Sequence, residues 1–167
     1  MSVQIDPAKK ILSLREAVKW REQLRQNGQT LVITNGCFDI MHRGHAEYLY
    51  ESAKCGDALL ILINSDRAVK MLKGDRRPVV DEFNRAYLLG ALSFVDAVVI
   101  FDAKRCNREL ATLQPDFYVK GGDYTLDKLD QDEREALLSS GSEIIFKPFI
   151  PGFSTTTLIE KIIHSEK

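Results

Sequence analysis

With 167 residues, and 23 Lys and Arg against 24 Asp and Glu, the chain has a formal net charge of −1, which excludes the basic surface of a nucleic-acid coat or a polybasic membrane-binding face. A composition 44% hydrophobic and 28% charged is that of a globular protein, and the length suits one domain with little room for a second. The odd set of cysteines, Cys37, Cys55 and Cys106, contains no CxxC pair, and the head of the chain has no apolar h-region, so a disulfide framework and a leader are not expected and a reducing cytoplasmic compartment is.

Ser13 and Glu16 form a capping-box pattern with Leu12 placed as a staple, which predicts an opening helix. Residues 1–28 read as an N-terminal helical extension on a core of residues 29–164, all within one domain spanning 1–167. Leu31 to Thr34 reads as the first buried strand. Ala46, Leu49, Tyr50 and Ala53 then follow helical spacing, with Gly56 expected as the C-terminal stop. Ala58 to Ile63 is the second strand, followed by Asn64-Ser65-Asp66 and a short helix, and a further helix is expected from about Asp81 to Leu92. Strands over Ala97 to Phe101, Phe117 to Val119 and Glu143 to Phe146 follow, with a helix from about Asp130 to Ser139. Ser154 opens a last helix striped by Leu158, Ile159, Ile162 and Ile163. Continuous rather than alternating apolar runs fit parallel strands covered on both faces, so the expected fold is α/β, a single Rossmann-like open parallel sheet with helices on both faces. In such sheets ligands bind beyond the carboxyl ends of the strands, where strand order reverses.

The first strand runs into Thr34-Asn35-Gly36-Cys37-Phe38-Asp39 and then Ile40-Met41-His42-Arg43-Gly44-His45, so HxGH stands where a loop enters a helix. A helix N-terminus offers unpaired N–H groups and a positive dipole end to an anion. Gly36 and Gly44 clear the backbone for a phosphate, and His42 and His45 can each donate an N–H to phosphate oxygens. A zinc pair would need a third ligand, and the remaining histidine, His164, lies in the tail. Lys73-Gly74-Asp75-Arg76-Arg77-Pro78 is either a solvated loop or an acceptor-phosphate site. Paired Gly121 and Gly122 after the fourth strand permit a tight turn against a ligand. Asp123 beside them can accept from a base or ribose, or cap the turn. Asn64 to Asp66 and Ser154 are ordinary helix caps when taken alone.

TNGCFDIMHRGH resembles the GxFDxxHxGH signature of the cytidylyltransferase-like nucleotidyltransferases, and the resemblance runs from about Leu31 to Ile163 with its motifs in order. Class I aminoacyl-tRNA synthetases carry a related HIGH motif, and Lys70-Met71-Leu72-Lys73 echoes their KMSKS loop. That echo follows the second strand rather than the last, and the chain is too short for a synthetase. Within the superfamily, NGCFDxxHxGH, NSD, LKG, RP, VKGGDY and STT look like the adenylyltransferase of ADP-heptose synthesis, which is often fused behind a sugar kinase. The resemblance implies His42, His45 and Lys73 as catalytic residues. It implies a nucleotide site of Thr34, Asn35, Gly36, Cys37, Phe38, Gly44, Lys120, Gly121, Gly122, Asp123, Ser154, Thr155 and Thr156. It also implies an acceptor site of Asp39, Asn64, Asp66, Arg77 and Arg85. The implied substrates are ATP and a sugar 1-phosphate, D-glycero-D-manno-heptose 1-phosphate, with Mg²⁺ carried mainly on the ATP phosphates and no metal site of the protein's own. Neither nucleic acid nor membrane is implied as a partner, and a separate sugar kinase would supply the acceptor. Members of the superfamily are often dimers or larger, although no interface is legible here. The alternatives are a cytidylyltransferase for glycerol 3-phosphate and a non-catalytic nucleotide-binding module.

Overall fold

The apolar runs become the middle of one parallel sheet in the computed structural model, which describes residues 6–122, 124–148 and 152–165. Its strands are β1 (Ile11–Leu12), β2 (Leu31–Gly36), β3 (Ala58–Asn64), β4 (Ala97–Phe101), β5 (Phe117–Gly121) and β6 (Glu143–Lys147), in the order β1-β4-β3-β2-β5-β6. Every neighbouring pair is parallel. From β2 the chain winds outward through β3 to β4, then returns to lay β5 on the other side of β2. The order therefore reverses between β2 and β5, and the crevice beyond their carboxyl ends is where a ligand is expected.

Alternate residues of each strand feed two cores. Leu31, Ile33, Leu60, Leu62 and Tyr118 pack with Ala17 and Leu24 of α1 (Leu14–Gln26), Leu110 of α5 (Asn107–Leu113) and Leu137 of α6 (Gln131–Ser139). Val32, Leu59, Ile61, Ile63 and Val119 pack with Tyr48 and Leu49 of α2 (Arg43–Ala53) and with Ala86 and Leu89 of α4 (Glu82–Gly90). β3 is buried along its whole length, as a central strand covered on both faces must be. Two further helices, α3 (Asp66–Lys73) and α7 (Thr155–His164), follow strand ends β3 and β6.

The caps form as their sequences direct. Ser13 and Glu16 make a reciprocal capping box, and Ser65, Asp81, Asp130 and Ser154 each accept from a first-turn amide of the following helix. The expected helical extension also carries β1, which pairs with the edge of β4, and Lys10 Nζ ties the segment to the carbonyls of Leu92 and Val95. Gly56 is not the left-handed stop expected of it: its φ is not positive, and a Cβ there would stand 2.8 Å from Thr30 Oγ1 and Val32 Cγ2. Glycine is required by close packing on the start of β2. The stripe of α7 is left largely open, with Ile162 and Ile163 exposed.

Candidate active site

Beyond β2 and β5 opens a cleft of about 760 Å³. Its first wall is the turn from β2 into α2. Phe38 adopts a left-handed φ of 45°, folding its ring back so that a Cβ on Gly36 would lie 2.8 Å from it. A Cβ on Gly44 would meet Phe153 at 2.8 Å and the His42 ring at 3.1 Å, so glycine lets α2 and the head of α7 close together. His42 caps α2, its Nδ1 accepting from the His45 amide at 3.4 Å, which leaves the proton on Nε2. The His42 and His45 rings stack with centroids 3.8 Å apart. His42 Nε2 and His45 Nδ1 are both buried with no partner among the described residues. Burial, followed by the neighbouring His42, pushes His45 down to about 4, and burial also lowers His42. Both rings are neutral at neutral pH, so each has one N–H to donate.

Across from them stands the N-terminus of α7. Ser154 Oγ accepts from the Thr157 amide at 3.0 Å and shares a hydrogen bond with Thr157 Oγ1, while Ser154, Thr155 and Thr156 line the cleft. Cys37 also lines it, but burial raises its thiol, which stays protonated at 3.6 Å from Asn64 Oδ1 and is no nucleophile at neutral pH.

Several expected contacts are engaged elsewhere. Arg85 was expected to face the acceptor, yet it is fully buried. It donates to the carbonyls of Val80 (2.9 Å), Cys37 (2.6 Å) and Asn64 (2.9 Å) and to Asp66 Oδ1 (2.8 Å). Asp66 is thereby held outside the cleft lining. Asn64 reaches the cleft, but its amide donates to the carbonyls of Ala103 (3.0 Å) and Lys104 (3.5 Å), fixing the loop after β4. Asp39 is buried against Arg77 Nε (2.5 Å) and the amides of Val79 (2.8 Å) and Val80 (2.9 Å), so it orders the loop before α4. Thr34 lies outside the lining, its hydroxyl bonded to Tyr48 at 2.7 Å. Gly121 lines the cleft. Gly122 does not, its amide donating to Lys147 O at 2.9 Å. Asp123 lies outside the described residues.

The structure also adds residues that no motif marks. Lys104 and Arg105 enter from the loop after β4, and Tyr124, Lys128, Asp130 and Glu133 from the segment after β5. Each acid of the lining has a cation: Asp39 with Arg77, Asp130 with Arg105, Glu133 with Lys120. Lys73 and Lys104 stand in the cleft with no acidic partner among the described residues, leaving it cationic inside a chain of net charge −1. With these three carboxylates so engaged, the described lining is poorly suited to ligate a metal ion by itself.

The family model described as cytidylyltransferase-like matches residues 33–161, a span that runs from within β2 into α7 and holds the N-termini of both α2 and α7. The chain belongs to the cytidylyltransferase-like family. Its similarity to individual family members is high. It is 47% identical over 156 residues to the bifunctional protein HldE of Campylobacter fetus, which covers 92% of this chain and 31% of that one. It is 44% identical over 153 residues to the HldE of Helicobacter pylori, covering 92% and 31% respectively. The chain thus spans about three tenths of the length of these curated relatives. A solved structure described as the lipopolysaccharide core biosynthesis protein from Thermoplasma volcanium superposes with a TM-score of 0.59 at 28% identity, covering 74% of this chain and 98% of that one. This is a nucleotidyltransferase domain of the cytidylyltransferase-like family, and among its described residues no helix is long and apolar enough to cross a membrane.

Proposed function

We propose that the domain transfers AMP from ATP to D-glycero-D-manno-heptose 1-phosphate, forming ADP-heptose and pyrophosphate for lipopolysaccharide or a related surface glycan. The observation that carries the chemistry is the pair of buried, unpartnered ring nitrogens on His42 and His45 facing the N-terminus of α7. Buried polar atoms without partners are rare, and here they face a cationic cleft in which a polyphosphate would complete them. The heptose acceptor is supported by the unbroken run from NGCFD through VKGGDY to STT and by the likeness to HldE proteins over most of the chain.

In this mechanism a phosphate oxygen of the acceptor attacks the α-phosphorus of ATP in line. The new P–O bond forms as the bond to the bridging α–β oxygen breaks, and pyrophosphate departs with that electron pair. No protein nucleophile is needed, so catalysis consists of positioning and charge stabilisation. His42 and His45 donate to oxygens on which charge builds, the first-turn amides of α7 hold the departing phosphates, and Lys73 neutralises them from the other side. Arg77, oriented by Asp39, faces the acceptor phosphate.

The test is pyrophosphate release with magnesium and ATP, CTP or GTP, each against the heptose 1-phosphate anomers and glycerol 3-phosphate. Turnover with ATP and one heptose 1-phosphate is expected. Turnover with CTP and glycerol 3-phosphate would keep the chemistry and overturn the substrate, and nucleotide binding without any turnover would overturn the chemistry.

A further inference from the structure

Beneath the α5 and α6 side of the cleft lies a buried polar cluster in which Glu133 and Tyr118, outside every motif, meet Asn35 and Lys120. Glu133 on α6 is 4% exposed, and its Oε1 accepts from Lys120 Nζ at 2.8 Å and from the Tyr118 hydroxyl. Lys120 Nζ also donates to the Tyr118 hydroxyl at 3.1 Å and to Asn35 Oδ1 at 3.2 Å, and that hydroxyl stands 2.7 Å from the same Oδ1. Burial raises Tyr118 well above its ordinary value, so the phenol keeps its proton, which serves one of its two oxygen neighbours at a time. An ammonium has N–H groups and no acceptor, so the Asn35 atom facing Lys120 is the carbonyl oxygen, and the ammonium protons are all engaged. The Asn35 Nδ2 is thereby turned away from the cluster, with no protein partner among the described residues, and Asn35 lines the cleft.

A buried Lys–Glu pair is costly to desolvate, and apolar side chains of similar size would stabilise the fold at least as well. The cluster therefore asks for a reason other than stability. Its partners indicate which substrate is concerned. Asn35 sits at the end of β2 and bonds Tyr118 and Lys120 of β5, so its side chain leans across the strand-order reversal, away from Arg77 that follows β3. On the β5 side Lys120 and Gly121 line the cleft, and the family resemblance assigns both to the nucleotide.

We propose that Glu133 is a positioning residue which, through Lys120 and Tyr118, holds the Asn35 amide as a fixed N–H donor to the nucleotide. This rests on the nucleotidyltransferase reading above. Lys120 is accordingly a strut for Asn35 and makes no contact with the phosphates.

The experiment measures equilibrium binding of a non-hydrolysable ATP analogue, KM for each substrate, and thermal unfolding, on wild type, Asn35→Asp, Glu133→Gln and the double variant Glu133→Gln/Lys120→Met. The single variants are expected to bind the analogue ~10-fold more weakly while the acceptor KM stays within about twofold. The double variant removes both buried charges, so it is expected to regain the wild-type melting temperature without regaining nucleotide affinity. Full recovery of affinity in the double variant would overturn the proposal, as would wild-type analogue binding by Asn35→Asp or a shift in acceptor KM in place of nucleotide affinity. A wild-type protein that binds no nucleotide would instead sink the function proposed above.

Discussion

On the α2 side of the cleft His42 Nε2 and His45 Nδ1 lack partners among the described residues, whereas on the α5 and α6 side Glu133, Lys120, Asp130 and Arg105 are closed into pairs. Both sides carry groups able to bind phosphate or sugar, so residue type alone does not separate them. The state of satisfaction does: an unpartnered buried atom is stable only if a ligand completes it, while a paired one is complete before any ligand arrives. The first wall is thus expected to fail in turnover when altered, and the paired groups in stability or in the orientation of a neighbour.

The largest effect tests the open wall. His42→Ala and His45→Ala are each expected to lower kcat roughly a hundredfold or more, as for loss of one preorganised donor. Because His45 Nδ1 bonds nothing among the described residues, His45→Ala should melt close to wild type, whereas His42→Ala also loses the Nδ1 cap of α2 and should be less stable by about 1 kcal/mol. Unchanged turnover in folded variants would remove the histidines from the chemistry.

Next comes a group that is fully paired. Arg85→Met would leave the carbonyls of Val80, Cys37 and Asn64 and the Asp66 carboxylate without their donor. Loss of this fully buried clamp is expected to cost about 3 kcal/mol in urea unfolding. A cost under about 1 kcal/mol would mean that water or a rearranged loop replaces the guanidinium, and the contrast between the walls would then lose its basis.

That contrast also marks what could be read from residue order. The runs over Leu31, Ala58 and Ala97 announced parallel strands because continuous apolar sequence has few other uses, and Ser13, Asp81 and Ser154 announced helix starts because capping is local. α5 went unannounced, since its N-cap Cys106 makes no side-chain cap bond, and β1 is a pair of residues whose only signal is its partner on β4. The HxGH and STT segments were legible for the same local reason. Arg85, Asn64 and Asp66 were placed at the acceptor by the family resemblance, since their own setting reads only as helix caps and a helix arginine. Their true partners lie on other elements, the carbonyls of Cys37 and Ala103 among them, and no spacing rule reports such pairings. Glu133 and Lys104 were missed for that reason too.

A smaller effect is expected of the unpaired lysines. Lys73→Ala should reduce kcat/KM about tenfold and Lys104→Ala somewhat less, through KM more than kcat, since an exposed ammonium contributes on the order of 1 kcal/mol to holding a phosphate. Both losses should shrink as salt rises, because exposed charges are screened within a Debye length of about 10 Å at 0.1 M. A salt-independent loss would move these lysines from electrostatic attraction to a specific, desolvated contact. It would then put them on the same footing as the histidines.

The open wall itself also carries a pH dependence. His45 is held down to about 4 in the folded protein, by burial first and by His42 second, against an ordinary value of 6.5. Between those limits the unfolded chain binds a proton that the folded His45 refuses, so stability falls as pH drops through this window and ceases to change on this account below it. Carboxylates such as Asp57 and Asp81, held low by hydrogen bonds from Thr30 and Asn84, also titrate in acid, so the informative quantity is the difference between wild type and His45→Asn. In urea unfolding that difference is expected to grow in favour of the variant from pH 6.5 towards pH 4. Parallel curves would mean that the folded protein tolerates a charged His45. The unpartnered ring would then cost the free protein nothing, and its vacancy would no longer point to a ligand.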